Sequence, residues 1–595
     1  MRKKPLMAAL ALLAGGGLNF ALADASHTAT SSAPPCAQLT VYVAKKFYTM
    51  NPGRPEGKAV AVCNERIVSV ASSLDDLKPW TRRVPTTVDR RFEDKIVFPG
   101  FIDPHQHPFL GSITTSLPMI ASLDTVQAYG PDIRGVKDEA EAFARIRQYE
   151  AALKDPTAPL LIWGWDVPAM GRHLTRADLD AISTTRPVLV WDASQHHGYT
   201  NSFVIEQKKI PADIKLPGVG RDANGQFNGQ FLGIPAASYV ILPLIAHKMQ
   251  PAEAMRMMKS QIDMNRRNGI TTSTEHSLGV FSVDAEPGLL NAVYNNPQTP
   301  QRLVAIPAFH SYLAKFGSPE KAMDAVHDLQ KKSTDRLLFR GIKFFTDDSF
   351  NGLTFKPGDP GFADGTEGIW VTPPEKLAGL IEPWWRDGQQ VFVHSIGVEA
   401  QDVTLAALRK LSAQYPRADH RFTFEHFGMA RYDQIRAMKA LGASANVNVF
   451  YIWLRGEMYP KHIGMDRAED LAPLGTLVGE GVPTTVHSDF PIGQPKPLMA
   501  VTLAMTRLGQ SGTRTLGSHQ AVGLQTALRM VTSDAAYVLG IDDKVGTLEP
   551  GKLADFTVLD KDPYAVKPAA IRDIPVWGTV VGGKVYPTSE ITKPQ

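Results

Sequence analysis

The chain has 595 residues, 43% of them hydrophobic, enough to bury a large core and too many for one small domain. Its 63 basic and 60 acidic residues leave a net charge of +3, which gives no electrostatic footprint for nucleic acid. Two cysteines cannot build a thiolate cage, so any metal must be held by nitrogen and oxygen.

The first element is a secretory signal over residues 1–25. Arg2-Lys3-Lys4 precedes the apolar run Leu6–Leu13, and Ala21-Leu22-Ala23 fits a small-x-small cleavage site. That run falls short of the ~20 residues that span a bilayer, and no later run is long enough. The expectation is a periplasmic or secreted protein with no membrane span once the signal is removed. Residues 26–37 read as a flexible tether. Export makes a bond between Cys36 and Cys63 feasible, although sequence leaves their separation open.

Two β-rich stretches follow, Leu39–Tyr48 and Lys58–Ala71, the second broken by a turn at Asn64-Glu65. A matching set closes the chain: a turn and strand over Gly546–Leu559, then a hairpin from Val576–Val581 through Gly582-Gly583 to Lys584–Tyr586. Residues 38–97 and 540–590 are therefore expected to build one composite β-sandwich domain.

Between them, apolar runs alternate with helical patterns. The candidate strands are Phe98–His105, Ile270–His276, Arg302–Phe309, Arg340–Phe345, Gln390–His394, Arg421–His426, Ser444–Val449 and Pro483–His487. Helices are expected at Pro251–Asn268, with Met255, Met258 and Ile262 on one face, and at Arg431–Leu441, stopped by Gly442. The fold class is α/β, a (β/α)8 TIM-like barrel over residues 98–109 and 269–539. About 160 residues separate the first two strands, too many for a structureless loop. Residues 110–268 should thus be a folded insertion covering the mouth.

In such a barrel, groups at the C-terminal strand ends converge. Those ends carry His105 and His107, Lys343, His394, His426 and Asp489. On a strand, positions i and i+2 share a side, so His105 and His107 can grip one ion together. His394 and His426 read alone could be satisfied core histidines, and Asp489 a turn former. Lys343 is odder, because a buried lysine must be paired, neutral or chemically modified. Coincidence at so many strand ends is harder to explain than any one accident.

Six segments make the chain resemble the amidohydrolase superfamily, specifically its family-3 branch related to N-substituted formamide deformylases. They are Pro99-Gly-Phe-Ile-Asp-Pro-His-Gln-His107, Gly341-Ile-Lys343, His394-Ser-Ile-Gly397, Phe424-Glu-His426, His487-Ser-Asp489 and Gly546-Thr-Leu-Glu-Pro-Gly-Lys-Leu-Ala-Asp555. The resemblance runs from about Leu39 to Asp562. It implies one divalent ion, Zn2+ by ligand chemistry, on His105, His107 and Asp489, and a second on His394 and His426. A CO2-derived carbamate on Lys343 would bridge the two; a one-metal enzyme with unmodified Lys343 is the alternative. Asp489 then takes a proton from the attacking water and gives it to the leaving amine.

The resemblance also covers Asp192-Ala-Ser-Gln-His196-His-Gly-Tyr-Thr-Asn201-Ser202, which singles out His196 for the substrate carbonyl or its oxyanion. A clip between insertion and barrel is the plainer role for His196. Trp165, in Trp163-Gly-Trp165-Asp166, is expected as an aromatic pocket wall, and His276, beside Glu275, as pocket lining or a support for the ligands.

The chain also departs from the family pattern. Asp-Gly-Ser usually follows the strand-four lysine, whereas here Thr346-Asp-Asp-Ser-Phe-Asn-Gly does. Val398-Glu399 stands where an Asp follows His-Ala-Ile-Gly, and His487 where glycine is common. These changes touch the substrate side and make formamide specificity unsafe to carry over. The leading expectation is an exported metal-dependent hydrolase of an amide or related C–N bond in a small molecule. Its rivals are an esterase, lactonase or cyclic imide hydrolase with the same site, and a catalytically inactive periplasmic binding protein. Homodimerisation is left open.

Overall fold

A computed structural model describes residues 36–129 and 131–592. The expected signal peptide, and the tether apart from Cys36 and Ala37, lie outside the described residues. Among the described residues no helix is long and apolar enough to cross a membrane. Cys36 and Cys63 are joined in a disulfide.

Both chain ends meet in one seven-stranded sheet. Its order is Lys584–Pro587, Val576–Val581, Phe556–Leu559, Thr86–Pro99, Leu39–Tyr48, Glu56–Cys63 and Arg66–Ala71. Thr86–Pro99 joins the two halves, parallel to Leu39–Tyr48 and antiparallel to Phe556–Leu559. The turn Gly546–Asp555 is pinned from inside. Buried Asp555 takes Arg302 Nε at 2.6 Å and Nη2 at 3.0 Å, a bidentate geometry that offsets the desolvation of both charges.

Two parallel sheets carry the strand ends that matter. One runs Leu337–Phe339, Arg302–Pro307, Ile270–Leu278, Phe101–Ile102; the other runs Ile342–Phe345, Val391–Ser395, Thr423–His426, Ser444–Asn448, Thr484–His487. Single parallel bridges, Ala308 with Lys343 and Gln106 with Phe490, join them at both flanks. Apart from Leu338 and Phe345, these strands are buried along their whole length, as parallel strands under helices must be.

Three expectations are corrected here. The first strand is only Phe101–Ile102, because Phe98 and Pro99 end the end-domain strand Thr86–Pro99. His105 and His107 therefore flank the bridged Gln106 rather than close a long strand. The fourth strand begins at Ile342, after Gly341, whose φ is +61°. A Cβ at Gly341 would lie 2.6 Å from the Gln390 carbonyl oxygen, so the chain breaks there at the one residue that permits it. On the helix Pro251–Arg267, Met257, Met258 and Ile262 are buried, while Met255 is exposed. The helix Tyr432–Leu441 ends at Gly442 with φ 70°, the left-handed stop that glycine favours.

Residues between the first two of these strands carry a five-stranded sheet, ordered Leu160–Trp165, Val188–Asp192, His197–Thr200, Phe227–Leu232, Val219–Arg221. It has its own core of Ile162, Trp165, Leu174 and Val190. Buried Asp166 and Arg455, 2.9 Å apart, tie this segment to the helix Phe450–Arg455.

Candidate active site

The strand ends face a cavity of about 180 Å³ lined by His105, His107, Lys343, His394, His426 and Asp489. Trp191 and His196 close it from one side, with Ala237 and Ile241 of the helix Ile234–Ile245. Phe281, Phe345, Phe350 and Tyr451 add aromatic wall.

Asp489 is the centre of the cluster. Its Oδ1 lies 3.5 Å from His105 Nε2 and 3.4 Å from His107 Nε2, and its Oδ2 lies 3.5 Å from His426 Nδ1. Ligand atoms of His105, His107 and Asp489 all lie within 4.8 Å of one another. The His394 and His426 rings are 4.4 Å apart.

Two of these imidazoles have their tautomers set by groups behind them. His105 Nδ1 is 2.5 Å from Glu425 Oε2, which leaves the Nε2 lone pair facing the cluster. His394 Nε2 is 3.0 Å from the Asp348 carbonyl oxygen, which frees Nδ1. Glu425 is in turn held by Asn446 Nδ2 at 2.8 Å.

Burial dominates the electrostatics of the pocket. Burial pushes His105 and His426 well below the usual imidazole range and His394 down to about 3. Burial likewise pushes Lys343 down to about 8 and Glu425 up to about 8. Burial also opposes charge on His107, but Asp489 and Glu275 hold it up to about 9.

The residues fit a divalent cation on their own chemistry. His105 Nε2, His426 Nδ1, both nitrogens of His487, Lys343 Nζ and Glu425 Oε1 are all buried without a hydrogen-bond partner. A buried orphan needs a reason, and these six atoms lie together at the cavity. A cation among them would satisfy the lone pairs and make ionised Glu425 favourable.

Not every expected residue lines the cavity. Trp165 is fully buried in the segment's own core, its Nε1 donating to the Arg172 carbonyl at 3.0 Å. A register shift at Gly164, with φ 114°, turns it away from the face of Trp163. Trp191 supplies the aromatic wall instead. His276 also misses the cavity: its ring stacks on His105 at 4.0 Å and lies under it, 3.6 Å from Glu425. Glu275 and Ser277 line the cavity on either side of it. His196 does line the cavity, with Nδ1 2.6 Å from Asp348 Oδ1. Asp348 holds it above its usual range although burial opposes this.

Sequence reasoning gave no role to Glu425, Asp348, Asn446 or His487. Glu425 carried a signal, since a glutamate inside an apolar strand is as costly to bury as Lys343. His487 carried one too, since it ends an apolar run as His394 and His426 do, and its ligand atom lies within 4.8 Å of those of His105 and His426.

The chain is similar to several known proteins. A formamide deformylase acting on N-substituted substrates, from Arthrobacter pascens, is 26% identical over 524 residues, 82% of this chain and 88% of that protein. Protein LONG AFTER FAR-RED 3 of Arabidopsis thaliana is 25% identical over 560 residues, 91% of this chain and 90% of its own. An uncharacterized metal-dependent hydrolase from Pyrococcus horikoshii OT3 shares the fold, with TM-score 0.68 and 20% identity over 89% of this chain and 99% of that one. The amidohydrolase family model matches residues 92–587. The chain belongs to the amidohydrolase family and is one of its metal-dependent hydrolases.

Proposed function

We propose that the chain is an exported hydrolase of an amide or related C–N bond in a small, largely apolar molecule. Its two parallel sheets then form one closed (β/α)8 barrel, roofed by residues 110–268 and flanked by the composite β domain. One observation carries the reading: unpartnered nitrogen lone pairs and Asp489 converge at successive strand ends on a mostly apolar cavity. The Cys36–Cys63 bond supports an oxidising compartment.

His105, His107 and Asp489 would hold one divalent ion, and His394 and His426 a second, with Lys343 between them, free or as its carbamate. Zinc suits these ligands. Bound there, the ion supplies Lewis acidity that polarises a carbonyl and acidifies water. The chain does the rest. Asp489, its side chain 11% exposed at the cavity, takes the proton of the attacking water. Water oxygen bonds to the carbonyl carbon, the C–N bond breaks, and Asp489 delivers the proton to the departing nitrogen. Trp191, Phe281 and Ile241 seat the apolar part of the substrate and exclude bulk water.

The test combines elemental analysis of chelator-free protein with a panel of formanilide, acetanilide, phthalimide, phenyl acetate and γ-butyrolactone. Metal retention and turnover of an amide, abolished in Asp489→Asn, are expected. Turnover confined to the ester and lactone, or unchanged in Asp489→Asn, overturns the reading.

A further inference from the structure

Asp348 stands where the family pattern has glycine, and three of its oxygens are engaged. Oδ1 lies 2.6 Å from His196 Nδ1. Oδ2 accepts from Thr354 Oγ1 at 2.7 Å. The backbone oxygen is 3.0 Å from His394 Nε2. The residue is thus fixed from both sides before it meets His196, and 7% of its side chain is exposed.

His196 is aimed as deliberately. Gln195 before it takes φ 68°, a region that residues with a Cβ seldom enter. Asp192 accepts from Ser194 Oγ at 2.7 Å, and Ser194 Oγ accepts from the His196 amide at 3.2 Å, so the turn is braced. At 2.6 Å a bare nitrogen lone pair and a carboxylate oxygen would repel, so Nδ1 carries a proton. The contact is off-axis for an ideal hydrogen bond and binds as an ion pair. Among the described residues no group bonds Nε2, and the ring lines the same cavity as Asp489.

We propose that Asp348 is a positioning residue that holds a charged His196 with its Nε2–H turned into the cavity, so that the pair receives the carbonyl oxygen of the bound substrate as negative charge develops on it. The inference rests on the hydrolytic reading above and on the role the resemblance gives His196; what it adds is Asp348, the carboxylate that fixes the charge and direction of that ring. Its partner chemistry is a neutral carbonyl compound whose oxygen becomes anionic during attack. Since the same residue fixes His394 through its backbone oxygen, a side-chain substitution separates the two roles: Asp348→Asn keeps the backbone contact and removes the charge.

The experiment has two arms on metal-loaded, full-length protein. In the first, 15N histidine NMR identifies the His196 ring by its loss in His196→Gln. Both ring nitrogens should be protonated in the wild type, with Nε2 losing its proton in Asp348→Asn. In the second, kinetics on whichever panel amide is turned over should show kcat falling about 10²-fold in His196→Gln, as for loss of an oxyanion donor. Asp348→Asn should lower kcat at least ~10-fold with KM, melting temperature and metal content little changed. Thr354→Val, which leaves both charged groups in place, should give a smaller loss of the same kind. A bare Nδ1 in the wild-type spectrum, or wild-type kcat in Asp348→Asn, overturns the proposal. A structural clip would lower the melting temperature and spare kcat. If no panel amide reacts, the hydrolytic reading fails, while the spectrum still decides whether Asp348 holds a charged His196.

Discussion

Glu425→Gln separates holding a metal from holding the fold, because the two effects should have opposite signs. Glu425 is fully buried, with Oε2 2.5 Å from His105 Nδ1 and Oε1 without a partner. Burial pushes its carboxyl up to about 8, so without a cation its charge is a burden on the folded state. Glutamine keeps the shape and can still accept from His105 and meet Asn446, but it no longer strengthens the ring as a donor to metal. Losing such a support costs about 10–100-fold in metal affinity, or ~1.4–2.8 kcal/mol. Metal-free Glu425→Gln should melt at or above the wild-type temperature, since neither a buried charge nor a new cavity is introduced. Chelator competition gives the affinity and calorimetry of stripped protein gives the stability. Equal affinity for the wild type and the variant, or parallel falls in affinity and apo stability, would refute the assignment of Glu425 as the group behind His105.

Three further outcomes follow from particular contacts. Asp166→Ala leaves Arg455, 4% exposed, without its counter-charge and should cost about 3–5 kcal/mol in denaturant unfolding; a loss under ~1 kcal/mol would mean that water reaches Arg455. Glu286 is a buried acid pushed from 4.5 up to about 8 by desolvation, with Glu275 adding to the effect. The folded state then keeps a proton that the unfolded state has lost, so stability falls as pH rises through that window, by up to ~1.4 kcal/mol per unit. Glu286→Gln should flatten that part of the profile, and an unchanged slope there counts against the shift. Reducing Cys36–Cys63, which spans 27 residues, should cost about 3–4 kcal/mol, read as a lower unfolding midpoint with reductant.

The sequence was most legible where a residue type is unhappy in its surroundings. Lys343 in an apolar run, and imidazoles ending such runs, flagged the cavity because buried polar groups need a reason. Strand positions came through for the same reason: Ile270–Leu278, Val391–Ser395 and Thr484–His487 lie within a few residues of their expected limits. The failures are as physical. Trp165 was lost to a one-residue bulge, which flips a side chain without changing composition. Met255 matched the helical period yet sits at the edge of the buried arc. Asp348 looked like an ordinary loop aspartate, and only the tertiary approach of His196 gives it a task. Contacts between segments 150 residues apart leave no local pattern to find.

The seven-stranded sheet bears on biosynthesis. Thr86–Pro99 waits beside an open edge until Phe556–Leu559 has been made, so a nascent or prematurely terminated chain exposes an unsatisfied β edge. Loss of the chain from Phe556 onward should therefore leave a product prone to self-association and proteolysis, even though every residue around the cavity has already been translated. The architecture makes a finished chain a condition for a durable one.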